Sequence, residues 1–150
     1  MFFIANHPIY NHPLPEGHRF PMLKYELLPK QLLHEGTAEC TDFYSPDSID
    51  LSLVHAVHTV SYVKALTELT LDAKAVRSIG FPLSAALVER ELRIAQGTVV
   101  GCNHALEHGI AFNIAGGTHH AFSDRGEAFC LLNDQAIAAQ YLIKKKKCHK

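Results

Sequence analysis

The sequence predicts an α/β fold: part of an open, mainly parallel sheet flanked by helices, with the sheet incomplete. Three observations carry this. Segments of strand and helix character succeed one another along the chain. Ile110 to Ala115 is an apolar run broken only by Asn113, the pattern of a strand buried on both faces of a parallel sheet. Gly116 and Gly117 end that run and set His119 and His120 at its carboxyl end, where open α/β sheets collect reactive groups.

Taken in order, Phe2 to Ala5 is a short apolar strand, followed by a loop in which Pro8, Pro13, Pro15 and Gly17 block regular structure. A helix begins near Phe20 with Pro21 in its first turn, carries Met22, Tyr25, Leu28 and Leu32 at helical spacing, and stops at Gly36. Pro29 is placed to kink it. Thr37 to Tyr44 reads as a second short strand, and the stretch from Ser45 to Leu69 as one or two helices with Leu51, Val54, Val57 and Val60 inward. Ser84 is an N-cap for a helix with Leu87, Val88, Leu92 and Ala95 on one face, which Gly97 ends or bends before a further turn or two reaches Gly109. Asn133 or Asp134 caps a last helix whose lysines, Lys144 to Lys147, suit its C-terminal dipole.

With 150 residues, 47% of them hydrophobic, the chain is one domain with a real core. The net charge of -1 and the confinement of dense positive charge to one helix end argue against nucleic acid as a partner. The first residues carry no positive leader and no long apolar stretch follows, so a soluble, cytoplasmic protein without a membrane span is expected. Cys40, Cys102, Cys130 and Cys148 form no C-x-x-C pair, in keeping with reduced thiols.

Eleven histidines direct attention to two clusters. His104, Glu107 and His108 fit the H-x-x-E-H spacing of zinc peptidases. Such a site needs a third ligand, and after His108 only Asp124, Glu127, Asp134 and His149 remain beyond the adjacent histidine pair. His108 beside Gly109 is better explained as a helix C-terminal cap, which outweighs the metal reading. The second cluster is His119 and His120. Strand neighbours point to opposite faces, so the two rings share a pocket only if the chain after Gly117 is irregular. Two converging imidazoles suit acid and base work on one substrate. Spacing alone leaves that reading level with two exposed loop histidines.

The segment from Asn113 to Ala139, with its double glycine, paired histidines, Phe129-Cys130 and Asn133-Asp134, resembles the signature block of the histone deacetylase family, bacterial and class IV-like members included. Weaker likeness extends to 15–28, 58–66 and 80–90. The resemblance implies an arginase/deacetylase-like fold, of which residues 1–150 are the N-terminal part of a single domain. It implies a hydrolase that removes an acetyl or other acyl group from lysine or a related amine by zinc-activated water. His119 and His120 are then the paired acid/base groups, and Phe129, with Ala128 and Gly117, lines the acyl-lysine channel. Ala128 stands where the family usually has glycine, adding a methyl group beside that channel. Arg19 matches either a basic residue of the family's internal cavity or a solvated loop arginine.

The family's zinc ligands come from a later Asp-x-His segment and a still later aspartate, and none of the six aspartates here is followed two places on by histidine. Zinc is therefore expected in the complete protein, with no metal ligand in this chain and no zinc held by it alone; activity by the 150-residue chain alone is not expected. The expected partner is an acylated lysine peptide or a small acylated amine. The alternatives are a non-catalytic binding or regulatory fragment of the same fold and a zinc hydrolase built on the His104–His108 helix.

Overall fold

The computed structural model of the chain describes residues 2–145. Three two-residue strands, β1 (Ile4–Ala5), β2 (Phe43–Tyr44) and β3 (Phe112–Asn113), form a parallel sheet in the order β2-β1-β3. Ile4 stands in register with Phe43 on one side and Phe112 on the other. Among the described residues six α-helices accompany the sheet: α1 (Lys24–His34), α2 (Leu51–Val54), α3 (Val60–Thr67), α4 (Ala73–Ile79), α5 (Ala85–His108) and α6 (Asp134–Lys144).

Local chemistry sets most of the boundaries. Asp50, Thr59, Asp72, Ser84 and Asn133 each accept a backbone N–H at a helix start, satisfying donors that have no partner inside the helix. Gly80 and Gly109 close α4 and α5 in the left-handed region, where glycine carries no steric cost.

The long central helix α5 organises the molecule, packing on β1 and β3 and alongside α6. The expectation that Gly97 ends or bends this helix is corrected: α5 runs unbroken through it. The glycine is there because a Cβ would stand 2.9 Å from the Ala5 Cβ and 3.0 Å from both Asn113 Nδ2 and Tyr10 Oη. It lets the helix lie directly on the sheet. The main core gathers Val54, Leu66, Phe81, Leu87, Leu131 and Ile137, all buried, from α2, α3, α5, α6 and the intervening loops.

Several other expectations shift. The run from Ile110 to Ala115 is strand only at β3, which lies at an edge of the three-stranded sheet with Phe112 49% exposed, so it is not buried on both faces. Among the described residues no strand covers that edge. The first helix starts at Lys24 and leaves Pro21 outside, and it continues through Pro29. Of the stretch from Thr37 to Tyr44, only the last two residues are strand. Helix α4 was not anticipated, although Asp72 before it and Gly80 after it are ordinary start and stop signals. Lys146, Lys147, Cys148 and His149 lie outside the described residues. No helix among the described residues is long and apolar enough to cross a membrane.

Candidate active site

The loop between β3 and α6 holds the adjacent histidines. Gly117 adopts φ 90°, which breaks strand geometry immediately before them. The two imidazoles therefore come to one side, with centroids 4.3 Å apart and planes inclined by 35°. Both residues are exposed. His119 Nδ1–H donates to the Gly117 carbonyl at 2.8 Å, which leaves Nε2 of the neutral ring as the free proton acceptor.

One buried carboxylate holds this turn in place. Asp134 is fully buried and accepts from Gly117 N (3.0 Å), Thr118 N (2.8 Å), Thr118 Oγ1 (2.9 Å) and Thr98 Oγ1 (2.6 Å). A Cβ at Gly116 would stand 3.1 Å from its Oδ2, closer than ordinary contact, so glycine spares the carboxylate from crowding. Asn133, the N-cap of α6, also donates from Nδ2 to the carbonyls of Ala121 (3.2 Å) and His119 (3.4 Å). Of the two candidate caps, Asn133 does the capping, which frees Asp134 to organise the loop.

His58 clamps the far side. It is buried, its Nε2 accepts from Asn133 N at 3.0 Å, and the next residue's N–H donates to Ser123 O at 2.8 Å. Burial pushes its pKa down, only partly offset by the backbone of Phe122 and Ser123. Below the loop, Glu91 forms a buried ion pair with Arg90, whose Nε donates to Tyr10 O at 3.0 Å. Burial raises the Glu91 pKa, against the opposing pull of Arg90 and of the Leu131 backbone.

Phe129 lies farther along the same loop in an unusual conformation. Ala128 and Phe129 are consecutive residues with φ 49° and 68°, a region that L side chains enter at a cost. Hydrogen bonds from Ala128 N to Ser78 O (3.0 Å) and from Phe129 N to Ile79 O (2.7 Å) hold them there. The turn presses the Phe129 ring onto Gly80, where a Cβ would stand 3.0 Å from ring carbon Cε1. It packs against Phe20 and Phe81 at 4.9 and 5.0 Å between centroids. The methyl group of Ala128 is exposed, and its cost is borne by the backbone. Cys130 is buried beside it, and burial pushes its thiol pKa up to about 11, as befits a core residue and not a nucleophile. Arg19 is exposed, with Cζ 5.0 Å from the Phe129 centroid.

The histone deacetylase domain profile matches residues 18–150, which include the whole of this loop. The chain belongs to the histone deacetylase family. It is 47% identical over 139 residues to an uncharacterized protein of Picosynechococcus sp., covering 93% of this chain and 46% of that protein. Against the acetoin utilization protein AcuC of Bacillus subtilis, it is 33% identical over 103 residues, 64% of this chain and 27% of AcuC. The fold matches a crystal structure of an HDAC homolog complexed with SAHA, with a TM-score of 0.80 at 24% identity over 96% of this chain and 41% of that one. An HDAC homolog from Aquifex aeolicus gives a TM-score of 0.79 at the same identity. The chain thus spans less than half the length of each of these proteins.

In this deacetylase-family chain the other histidine cluster lies at the end of α5. His104 and His108 have ring centroids 4.3 Å apart, and His104 also stacks on Phe3 at 5.1 Å. Glu107 Oε2 is 3.9 Å from His108 Nε2, and His108 is the last residue before the Gly109 cap. Of the carboxylates considered as a third ligand, Asp134 is occupied by four donors of the histidine loop. Among the described residues no three His, Cys, Asp or Glu side chains are grouped to hold a metal ion, so neither histidine cluster fits zinc on its own.

Proposed function

We propose that this chain carries the proton-transfer side of an acyl-amine deacylase, acting on an acylated lysine peptide or a small acylated amine. His119 and His120 exchange the proton between the attacking water and the departing amine. The observation that carries this is the anchored pair itself: His119 Nδ1–H is committed to Gly117 O while its Nε2 stays open 4.3 Å, centroid to centroid, from a second imidazole. A ring fixed at one nitrogen can transfer a proton at the other without first reorienting. Phe129, with Ala128 and Gly117, forms the wall along which the acyl-amine chain enters. The HDAC homolog of this fold that is complexed with SAHA supports a ligand channel here. The zinc that the family resemblance implies for the complete protein finds no ligand set among the described residues, and its ligands are assigned to chain outside them.

The test uses the protein at its natural length and compares His119→Ala, His120→Ala and the double variant for turnover of an acetyl-lysine peptide, bound zinc and melting temperature. Each single variant should lose about a hundred- to ten-thousandfold in turnover, and the double variant little more, because both rings act on one reaction. Zinc content and melting temperature should hold. Near-full turnover in both single variants would refute the assignment, as would loss of zinc together with activity.

A further inference from the structure

The start of α3 grips the chain that carries the histidine pair by its backbone. Thr59 N–H donates to Ser123 O at 2.8 Å, Tyr62 Oη–H donates to Leu131 O at 2.8 Å, and His58 Nε2 accepts from Asn133 N at 3.0 Å. The last of these differs in kind, because its acceptor is a ring nitrogen: the imidazole is neutral, with its proton on Nδ1. At 2% exposure the ring is enclosed and meets the Asn133 N–H at a fixed place. Asn133 passes this hold on to the reactive turn. Its Oδ1 accepts from Ala136 N at 2.9 Å, which orients the amide so that Nδ2 faces the carbonyls of Ala121 and His119. An amide occupied at both ends moves only with its backbone, and the backbone is what His58 binds. Asp134, the next residue, holds the same turn from the N–H groups of Gly117 and Thr118, and its own N–H is taken by Thr118 Oγ1 at 3.3 Å. The Asn133 N–H is taken from outside the loop, by His58.

We propose that His58 is a positioning residue for proton transfer: by accepting the Asn133 N–H it fixes the amide that holds the His119 and Ala121 carbonyls, and so sets where the His119 ring stands. This deepens the deacylase reading given above and rests on it. His58 itself moves no proton in the reaction and acts through Asn133. Without its acceptor the start of α6 shifts to find another partner for the N–H, and the two carbonyls shift with it. A displacement of about 1 Å at a reacting group costs about a hundredfold in rate. The loss falls on kcat, because the ring moves a proton in the transition state and adds little to the binding of substrate.

The test measures kcat and KM of the natural-length protein on an acetyl-lysine peptide at about pH 8, where an imidazole is neutral, well below the melting temperature of each variant. His58→Phe keeps a ring but removes the acceptor, whereas His58→Gln brings an amide oxygen to the place of Nε2. Asn133→Asp keeps the cap on Ala136 N but cannot donate to the two carbonyls. His58→Phe and Asn133→Asp should each lower kcat by about ten- to a hundredfold with KM nearly unchanged, and His58→Gln should recover most of the loss seen with Phe. The double variant His58→Phe/Asn133→Asp should fall little further than the worse single one, because both cut the same line of contact. Should His58→Phe not fold, His58→Asn takes its place, being one methylene too short to reach the Asn133 N–H, and should lose kcat where His58→Gln keeps it. Undiminished kcat without the acceptor, equal losses with and without an acceptor at position 58, or full additivity with Asn133→Asp overturns the inference and leaves the deacylase reading intact. No turnover by the wild-type protein refutes the deacylase reading, and this inference with it.

Discussion

Replacing Asp134 with asparagine should be among the most damaging isosteric changes in this molecule. The side chain is fully buried and its two oxygens accept four hydrogen bonds, two from the backbone N–H groups of Gly117 and Thr118 and two from the hydroxyls of Thr98 and Thr118. In asparagine one oxygen becomes an NH2 group. The hydroxyls can rotate to accept from it, but a backbone N–H cannot. Each carboxylate oxygen takes one of the two backbone donors, so either orientation of the amide leaves one N–H facing N–H. A buried unsatisfied donor costs roughly 1–3 kcal/mol, and the remaining bonds lose their charge assistance. The expected loss is about 2–4 kcal/mol of unfolding free energy. Removing a buried charge can also stabilise a protein, but that holds where apolar groups replace both partners, and here the donors remain. Urea denaturation of wild type and variant, with equal m values, measures the difference. A loss below about 1 kcal/mol would show that the histidine turn is held by something other than this carboxylate. The same substitution should also lower turnover, because Gly117, whose N–H Asp134 binds, supplies the carbonyl that anchors His119.

Two further outcomes follow from the loop. Ala128→Gly should raise stability by up to about 1 kcal/mol, since relief of a left-handed alanine at φ 49°, worth about 1–2 kcal/mol, outweighs the added freedom of glycine in the unfolded chain, about 0.5–1 kcal/mol; a lower melting temperature would contradict this. Burial holds the folded pKa of His58 below the ordinary imidazole value of about 6.5. Its unfolded form thus binds more protons in acid: its contribution is fully present above about pH 6.5 and is lost as pH falls toward the folded pKa, by at most about 1.4 kcal/mol per pH unit. His58→Gln should flatten stability between pH 7 and 5 relative to wild type, and an unchanged slope would remove His58 from this role.

The sequence by itself determined the class of fold, the family and the place of the paired histidines. Strand and helix order, the Ser84 and Asn133 caps and the Gly109 stop are local signals, because each rests on hydrogen bonds within a few residues. The glycine pair before His119 likewise allowed an irregular turn, and the structure has one. Tertiary structure decided what depends on distant partners. Gly97 has the local look of a helix breaker, yet the close approach of Ala5, Tyr10 and Asn113 makes it a contact point inside an unbroken helix. Asp134 reads locally as a cap, but its partners lie 16, 17 and 36 positions away. Arg19 came to lie over the Phe129 ring only because a turn whose donors bind Ser78 and Ile79 brings that ring beneath it. The physical reason is the same in each case. Propensity and capping energies act over one turn of chain, whereas burial, close backbone approach and charge pairing act between segments that only the folded arrangement brings together.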